Sequence, residues 1–188
     1  MALDGKVALI TGGVKNLGAE SARELAGIGA RLALHYNSES SKASATSLEA
    51  ELREKYPDRK SVLNDFGKID IVVNTVGKVL KKPITDISEE DYDSMFAINS
   101  KAAFFILKAA ATHVSDDGKI ITIVTALLGA FTGFYTSYAG SNLGKHQWST
   151  LRVARRTLDI APIIRFLCTA GTWIAGQTIF ANGGYTTR

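Results

Sequence analysis

The sequence predicts an α/β protein built on a doubly wound parallel sheet, in a single domain that spans residues 1–188. Two observations lead to this fold class. Short, continuously apolar runs alternate with longer segments of helical pattern, as expected when parallel strands are buried on both faces. A glycine cluster also follows the first apolar run directly. Such sheets bind ligands beyond the carboxyl ends of their strands, so we expect the functional residues there.

The first half of the chain predicts strand, helix, strand and helix in turn. Residues 7–10 are continuously apolar and stop at a Thr-Gly-Gly turn, which indicates a buried strand. Residues 17–28 have apolar side chains spaced for one helix face, and Gly29 ends the pattern. Residues 31–36 predict a second strand. The polar segment 40–55 is rich in helix formers and predicts a solvent-facing helix.

The second half repeats this alternation. Residues 69–74 predict another buried strand because four of the six are isoleucine or valine. Ser88 is followed by three acidic residues, which is typical of an N-cap and the first turn of a helix. We expect a long helix over residues 97–112 and a further strand over residues 119–124.

Composition narrows the class of protein. The chain is 46% hydrophobic, as in ordinary globular proteins. Its charge of +4 is spread out, no nucleic-acid motif is present, and no run approaches the ~20 apolar residues of a membrane span. The single Cys168 excludes an internal disulfide and suits a reducing compartment. We therefore predict a cytoplasmic protein with no nucleic-acid partner, no membrane partner and no metal site.

The glycine cluster predicts a phosphate-binding loop. Gly12, Gly13 and Gly18 lie between the first strand and the first helix. Glycines there let the backbone approach a pyrophosphate, and the helix N-terminus offers free N–H groups. Asn16 stands where such loops often have glycine, and asparagine tolerates the left-handed conformation. A tight strand-to-helix turn needs glycine in any case, so the cluster alone leaves a purely structural role open.

The residues after the second strand favour NADP(H) over NAD(H). A site for NAD commonly places an acid near the end of this strand to bind the ribose hydroxyl. Here Asn37 and Ser38 follow the strand, so no early carboxylate repels a 2′-phosphate. Lys15 in the glycine loop can supply the countercharge, although it can equally be an exposed loop lysine.

Thr125 and Tyr138 are the candidates for proton transfer to a carbonyl. Thr125 follows the last predicted strand, and Tyr138 lies thirteen positions later. Reduction of a ketone needs an acid for the developing alkoxide, and a tyrosine needs a nearby cation to lower its pKa from about 10. The position four after Tyr138 is Asn142, and Lys145 lies about two helical turns away. From these two residues alone, a core tyrosine and a strand-end threonine without a catalytic role are the favoured interpretation.

Several motifs occur together in a characteristic order. They are the loop Thr11–Gly18, the segment Asn74–Gly77, Asn99 in the predicted long helix, Thr125, Tyr138 and the tail Gly176–Gly184. In this order and at these separations, they resemble the short-chain dehydrogenase/reductase family. The resemblance implies a Rossmann-like fold, NAD(P)(H)-dependent chemistry on a small-molecule alcohol or carbonyl substrate, and a homodimer or homotetramer.

The resemblance also implies roles for individual residues. Tyr138 would be the general acid/base, Thr125 would replace the family's serine, and Asn99 would belong to the proton relay. The residues expected at the cofactor are Gly12, Lys15, Asn16, Leu17, Gly18, Asn37, Ser38, Asn74, Val76 and Gly77. The expected function is an NADP(H)-dependent oxidoreductase that transfers a hydride between nicotinamide and a ketone or secondary alcohol. The alternative is a catalytically silent dinucleotide-binding module that acts as a sensor or partner subunit.

Two departures from the family's pattern concern Asn142 and the length of the chain. Asn142 stands where the family carries a lysine that lowers the pKa of the tyrosine and holds the nicotinamide ribose. A strand expected between Lys60 and Ser61, and a long helix and substrate lid expected after Ser141, are not found. We expect that the sequence omits segments of a longer protein. The alternative is a naturally shortened member of the family.

Overall fold

The computed structural model describes residues 2–57, 68–128, 132–146, 151–153 and 157–181. The strands in this part of the chain are β1 (Val7–Thr11), β2 (Arg31–His35), β3 (Ile69–Asn74), β4 (Val114–Thr125), β5 (Leu151–Val153) and β6 (Ile179–Ala181). They form one sheet in the order β2-β1-β3-β4-β5-β6, and every neighbouring pair is parallel. This topology confirms the predicted doubly wound parallel sheet.

Helices connect the strands and pack on the sheet. The described helices are α1 (Asn16–Gly27), α2 (Lys42–Lys55), α3 (Glu89–Phe96), α4 (Ala103–His113), α5 (Thr136–His146) and α6 (Thr157–Cys168). The largest core cluster lies between the sheet and the pair α1–α6, where Ile10, Val73, Leu25 and Ile164 are fully buried. Each such side chain contributes about 1.5–3 kcal/mol of burial free energy.

The helical region around residue 97 differs from the prediction. Ser88 is the N-cap as expected, because its hydroxyl accepts a hydrogen bond from Asp91 N (3.1 Å) and the Asp91 carboxylate returns one to Ser88 N (3.2 Å). The predicted helix over 97–112 is wrong at its start. The backbone runs helically from α3 through a π-helical stretch, Ala97–Ala102, into α4. No glycine or proline separates these segments, so nothing local ends the first one.

The start of β4 also differs from the prediction. β4 begins at Val114, five positions before the predicted residue 119. This early start was not predicted because residues 115–118 are polar or glycine and carry no apolar signal. α2 is mostly solvent-facing, as predicted, but Leu48 is buried in the core. The strand expected between Lys60 and Ser61 and the end of the tail at 182–184 lie outside the described residues.

Asp70 joins three elements at the amino end of the sheet, opposite the predicted ligand edge. Its side chain is 2% exposed. It accepts hydrogen bonds from Val7 N (2.9 Å), Lys6 Nζ (3.1 Å) and Ser115 Oγ (3.2 Å), and Lys68 Nζ lies 3.3 Å away. Burial alone would raise the pKa of Asp70, but these donors outweigh it and hold the pKa below its ordinary value.

Among the described residues, no helix is both long and apolar enough to cross a bilayer.

Candidate active site

The glycine loop between β1 and α1 is a tight turn with two residues in the left-handed conformation. Gly12 has a φ of 69° and Asn16 a φ of 48°, so the left-handed conformation expected of Asn16 is observed. A β-carbon on Gly18 would overlap the carbonyl oxygen of Gly12, because α1 packs directly on the loop. The Lys15 side chain caps none of the N–H groups at the start of α1, and anions bind at such helix starts.

Lys15 lies beside the residues that follow β2. Its Nζ donates to the carbonyl oxygen of Ser40 (3.3 Å), and both Asn37 and Ser38 are exposed at the same place. The hydroxyl of Ser38 lies 2.9 Å from that of Ser40 and 3.1 Å from that of Ser41. One ammonium group and three hydroxyls therefore meet within a short distance of the glycine loop.

Glu39 is the acid closest in sequence to this cluster. Its side chain is 87% exposed and pairs with Lys42 at 3.4 Å. Because that carboxylate is already paired and solvated, it repels an incoming phosphate only weakly.

Asn74 organises the segment after β3 from within the protein. Its side chain is 0% exposed, and its Oδ1 accepts hydrogen bonds from the Thr11 hydroxyl (2.7 Å) and Val76 N (3.2 Å). Thr75 N also donates to the Thr11 carbonyl (3.1 Å). The ends of β1 and β3 are thereby locked together. Asn74 shapes the turn that presents Val76 and the exposed Gly77.

The structure brings Tyr138 and Thr125 together at the carboxyl end of β4. Thr125 is the last residue of that strand and is 7% exposed, and Tyr138 is half-buried in the first turns of α5. Burial raises the pKa of Tyr138, and a hydrogen bond with the Thr125 hydroxyl lowers it only in part. The pKa stays above the ordinary tyrosine value, so the phenol keeps its proton at neutral pH.

Asn142 does not replace the function of a lysine. Its side chain is 2% exposed, and its Nδ2 donates to the backbone carbonyl of Tyr138 (2.8 Å) rather than approaching the phenol. The side chain of Lys145 lies outside the described residues. No cation among the described residues contributes to the pKa of Tyr138.

Asn99 lies in the π-helical stretch and is 0% exposed. Its Oδ1 accepts from Lys78 N (2.8 Å), and its Nδ2 donates to the Lys78 carbonyl (2.8 Å) and to the hydroxyl of Ser141 (3.0 Å). Ser141 in turn donates to the carbonyl oxygen of Tyr138 (2.9 Å). Asn99 is therefore linked to Tyr138 through Ser141.

Sequence reasoning identified Asn99 and Tyr138 but missed Ser141 and Thr11 as parts of this arrangement. The available signal for Ser141 was its position three residues after Tyr138, which places both on one helix face. For Thr11, the signal was its position at the end of β1, beside the end of β3. Within the described ranges, no cluster of His, Cys, Asp and Glu has the composition of a metal site.

Comparison with known proteins adds to this geometry. A family model described as short chain dehydrogenase matches residues 6–152. The hydroxynaphthalene reductase-like protein Arp2 of Metarhizium brunneum is 35% identical over 157 residues, which covers 74% of this chain and 58% of that protein. The chain thus spans a little over half the length of the curated relatives that it matches.

Two solved structures share both fold and sequence with the chain. A putative dehydrogenase from Burkholderia cenocepacia with bound NADP has a TM-score of 0.88 at 40% identity, with 100% of this chain and 96% of that chain covered. A blue fluorescent protein from a metagenomic library, in complex with NADPH, also has a TM-score of 0.88, at 26% identity, with both chains fully covered.

Proposed function

The chain belongs to the short-chain dehydrogenase/reductase family, and on that basis we propose that it interconverts a ketone and a secondary alcohol with NADP(H). The observation that carries the proposal is the position of the Thr125 hydroxyl beside the Tyr138 phenol at the carboxyl end of β4, close enough to lower the pKa of the phenol. A protonated phenol beside a second hydroxyl can orient a carbonyl oxygen and then protonate it. The glycine loop follows β1 at the same edge of the sheet.

In the proposed reduction, the substrate carbonyl oxygen accepts hydrogen bonds from Thr125 and Tyr138. NADPH held by the glycine loop would supply the hydride for the carbonyl carbon. Tyr138 transfers its phenolic proton to the oxygen as negative charge develops there, and the Thr125 hydroxyl stabilises the resulting phenolate. The phenolate then takes a proton from solvent. Burial raises the pKa of Tyr138, so at neutral pH the resting site holds the protonated phenol that the reduction requires.

The residues of the loop and of the turn after β2 fit a phosphorylated dinucleotide. The Gly12–Gly18 contact leaves no room for a side chain, which lets a pyrophosphate lie against the start of α1. Lys15 and Ser38 would hold the 2′-phosphate, with Asn37, Asn16 and Leu17 beside them. Val76 and Gly77 would flank the nicotinamide half. NADP and NADPH in the two similar structures support the preference for NADP(H).

Transfer of deuterium provides the direct test of this function. The purified chain is incubated with NADPH deuterated at the nicotinamide C4 position and with a panel of bicyclic and monocyclic aromatic ketones. We expect at least one ketone to yield an alcohol that is one mass unit heavier. Saturable NADPH binding without any labelled alcohol across the panel would contradict the proposal.

The environment of Asn142 favours a second candidate, a silent NADP(H)-binding module. The Asn142 amide is bonded to the Tyr138 backbone, so it neither lowers the pKa of the phenol nor offers a cation to a ribose. Such a protein would bind NADPH and act as a sensor or partner subunit. The same deuterium experiment separates the two functions, because only the reductase forms labelled product.

We also propose that residues 1–188 act as one cytoplasmic domain in a homodimer or homotetramer. α4 presents Phe104 and Phe105, which are 53% and 52% exposed, and apolar surface of this kind is characteristic of protein contacts. Light scattering on the purified chain would give two or four times its 20.2 kDa mass.

A further inference from the structure

We propose that Ser141 is a positioning residue, which fixes Tyr138 relative to the segment after β3 through Asn99. The inference rests on the proposed function, because that function gives Tyr138 its role in proton transfer. Ser141 lies three positions after Tyr138 on α5, so the two residues share a helix face. Its side chain is 0% exposed, so water cannot replace its partners.

Asn99 is the fixed centre of the connection. One amide proton bonds the Lys78 carbonyl and the other bonds Ser141 Oγ, while Oδ1 accepts from Lys78 N. Both donors of the amide are therefore in use, and its orientation is determined by the two backbone groups of Lys78. If the amide were flipped, Asn99 Nδ2 would point at Lys78 N, and two donors would face each other. Asn99 consequently offers the hydroxyl of Ser141 one N–H in a defined direction.

The hydroxyl of Ser141 both accepts and donates a hydrogen bond. The oxygen accepts from Asn99 Nδ2 at 3.0 Å, and its proton goes to the Tyr138 carbonyl at 2.9 Å. Because the acceptor and donor roles are both filled, the rotation of the hydroxyl is fixed. Asn142 adds a second hydrogen bond to the same carbonyl at 2.8 Å. The backbone carbonyl of Tyr138 is thus held by two neighbouring side chains, and Ser141 is also joined to another element through Asn99.

The connection spans the parts of the site that must be aligned. It begins at Lys78, next to the proposed cofactor residues Val76 and Gly77, and passes through the π-helical stretch to α5. Proton transfer requires the phenol to stand within hydrogen-bond reach of the substrate oxygen. A displacement of about 1 Å at a reacting group can lower a rate by about 100-fold. Ser141 is therefore the residue that fixes the position of Tyr138 on α5 relative to the segment after β3.

The first readout of the test does not need turnover. The six tyrosines are replaced biosynthetically with 3-fluorotyrosine, and a Tyr138→Phe sample assigns the Tyr138 fluorine resonance. We expect Ser141→Ala to shift, broaden or split this resonance. The control is Ser21→Ala, which removes an equally buried hydroxyl whose bond, to Leu17 O at 2.7 Å, stays within α1. This control should leave the Tyr138 resonance unchanged.

The second readout is steady-state kinetics with NADPH and a ketone accepted by the wild type. Ser141→Ala should lower kcat by about 10- to 100-fold, while KM for NADPH changes by no more than about twofold. Ser141→Cys is measured in parallel, because it preserves side-chain volume but is a weak donor and acceptor, and it guards against a failure of the alanine variant to fold.

A Tyr138 resonance that stays unchanged in the folded Ser141 variants would overturn the inference. Equal losses in stability for Ser141→Ala and Ser21→Ala, with no change in the Tyr138 resonance, would likewise reduce Ser141 to an ordinary buried serine. If the resonance moves but the wild type reduces no ketone, the positioning role stands and the proposed function fails. The two conclusions are therefore tested separately.

Discussion

Lys15 is the residue on which the choice of cofactor depends. Its ammonium group lies 3.3 Å from Ser40 O, beside the hydroxyl of Ser38, and is the only cation whose bonds tie the glycine loop to the turn after β2 in the described structure. We expect Lys15→Ala to weaken NADPH binding by about tenfold, or about 1.4 kcal/mol, and to leave NADH binding unchanged. Fluorescence titration with both dinucleotides measures this difference.

The matched control for Lys15 is Lys42→Ala. Lys42 lies at the start of α2 and pairs with the exposed Glu39, so its removal changes the local charge equally without removing the bond to Ser40. An equal loss of NADPH affinity in both variants would mean that Lys15 acts only through the general positive potential.

Sequence reasoning at the residue scale succeeded where the deciding rule is local. Asn16 was predicted to adopt the left-handed conformation because asparagine is permitted there, and its φ of 48° follows that rule. The link from Asn99 to Ser141 could not be predicted in this way. It joins residues 42 positions apart and depends on where a π-helical turn places the Asn99 amide.

At the scale of elements, the packing of α1 on the glycine loop determines the phosphate site. A β-carbon at position 18 would overlap the Gly12 carbonyl, so Gly18→Ala must push α1 away from the loop. We expect the free energy of unfolding to fall by about 1–3 kcal/mol. NADPH affinity should fall more than tenfold because the start of α1 moves. Urea denaturation and titration with NADPH measure the two effects.

Gly140→Ala is the control for this substitution. Gly140 is also a helical glycine, but the nearest atom to its added β-carbon would be Phe96 Cζ at an ordinary 3.9 Å. Alanine there should be neutral or stabilising by up to about 1 kcal/mol, since it has the higher helix propensity. Retention of full NADPH affinity by Gly18→Ala would place the pyrophosphate elsewhere.

Element types were predicted well from the sequence, and element ends less well. The start of α3 was found because a capping box is a local signal formed by Ser88 and Asp91. The continuation through Ala97–Ala102 was missed because a π-helical stretch has no distinctive composition. The early start of β4 was missed because its first residues carry little apolar signal; Val114 pairs with Ile69 of β3, and the register is irregular from there to Lys119.

At the scale of the whole molecule, Asp70 makes the free energy of unfolding depend on pH. Its pKa is lower in the folded state than its ordinary value of about 4, so the ionised carboxylate stabilises the fold at neutral pH. That contribution persists down to the ordinary pKa and is lost as the pH falls through the lower, folded value. Asp70→Asn should therefore lower the free energy of unfolding by about 1–3 kcal/mol at neutral pH.

The difference between Asp70→Asn and wild type should begin to narrow below about pH 4, where the unfolded wild-type carboxylate becomes protonated, and should be smallest once the pH has fallen through the lower pKa of the folded state. Urea denaturation over a pH series measures this, with the exposed Asp93→Asn as control. A difference that stays constant from neutral to acidic pH would show that the loss arises from packing rather than from charge.

The first four described strands and their parallel direction were predictable because buried apolar runs alternate with helical segments, and these four are enough to define the fold class. The order of the strands and the two short strands β5 and β6 were not predicted. The chemistry of the site was harder to predict than the fold, because Asn142 takes the place of the family's lysine and its side chain bonds the Tyr138 backbone instead. The proposed catalysis requires the phenol of Tyr138, whose pKa is raised, to transfer a proton with Thr125 as its hydroxyl partner and with no cation beside it in the described part of the chain.

The measurement that tests this most directly compares wild type with Tyr138→Phe, for NADPH binding and for deuterium transfer to a ketone. The substitution removes only the phenolic oxygen, so NADPH affinity should stay within about twofold, and labelled alcohol should fall by at least about 100-fold. Labelled alcohol formed at the wild-type rate by Tyr138→Phe would contradict the account, because the proton would then come from another group.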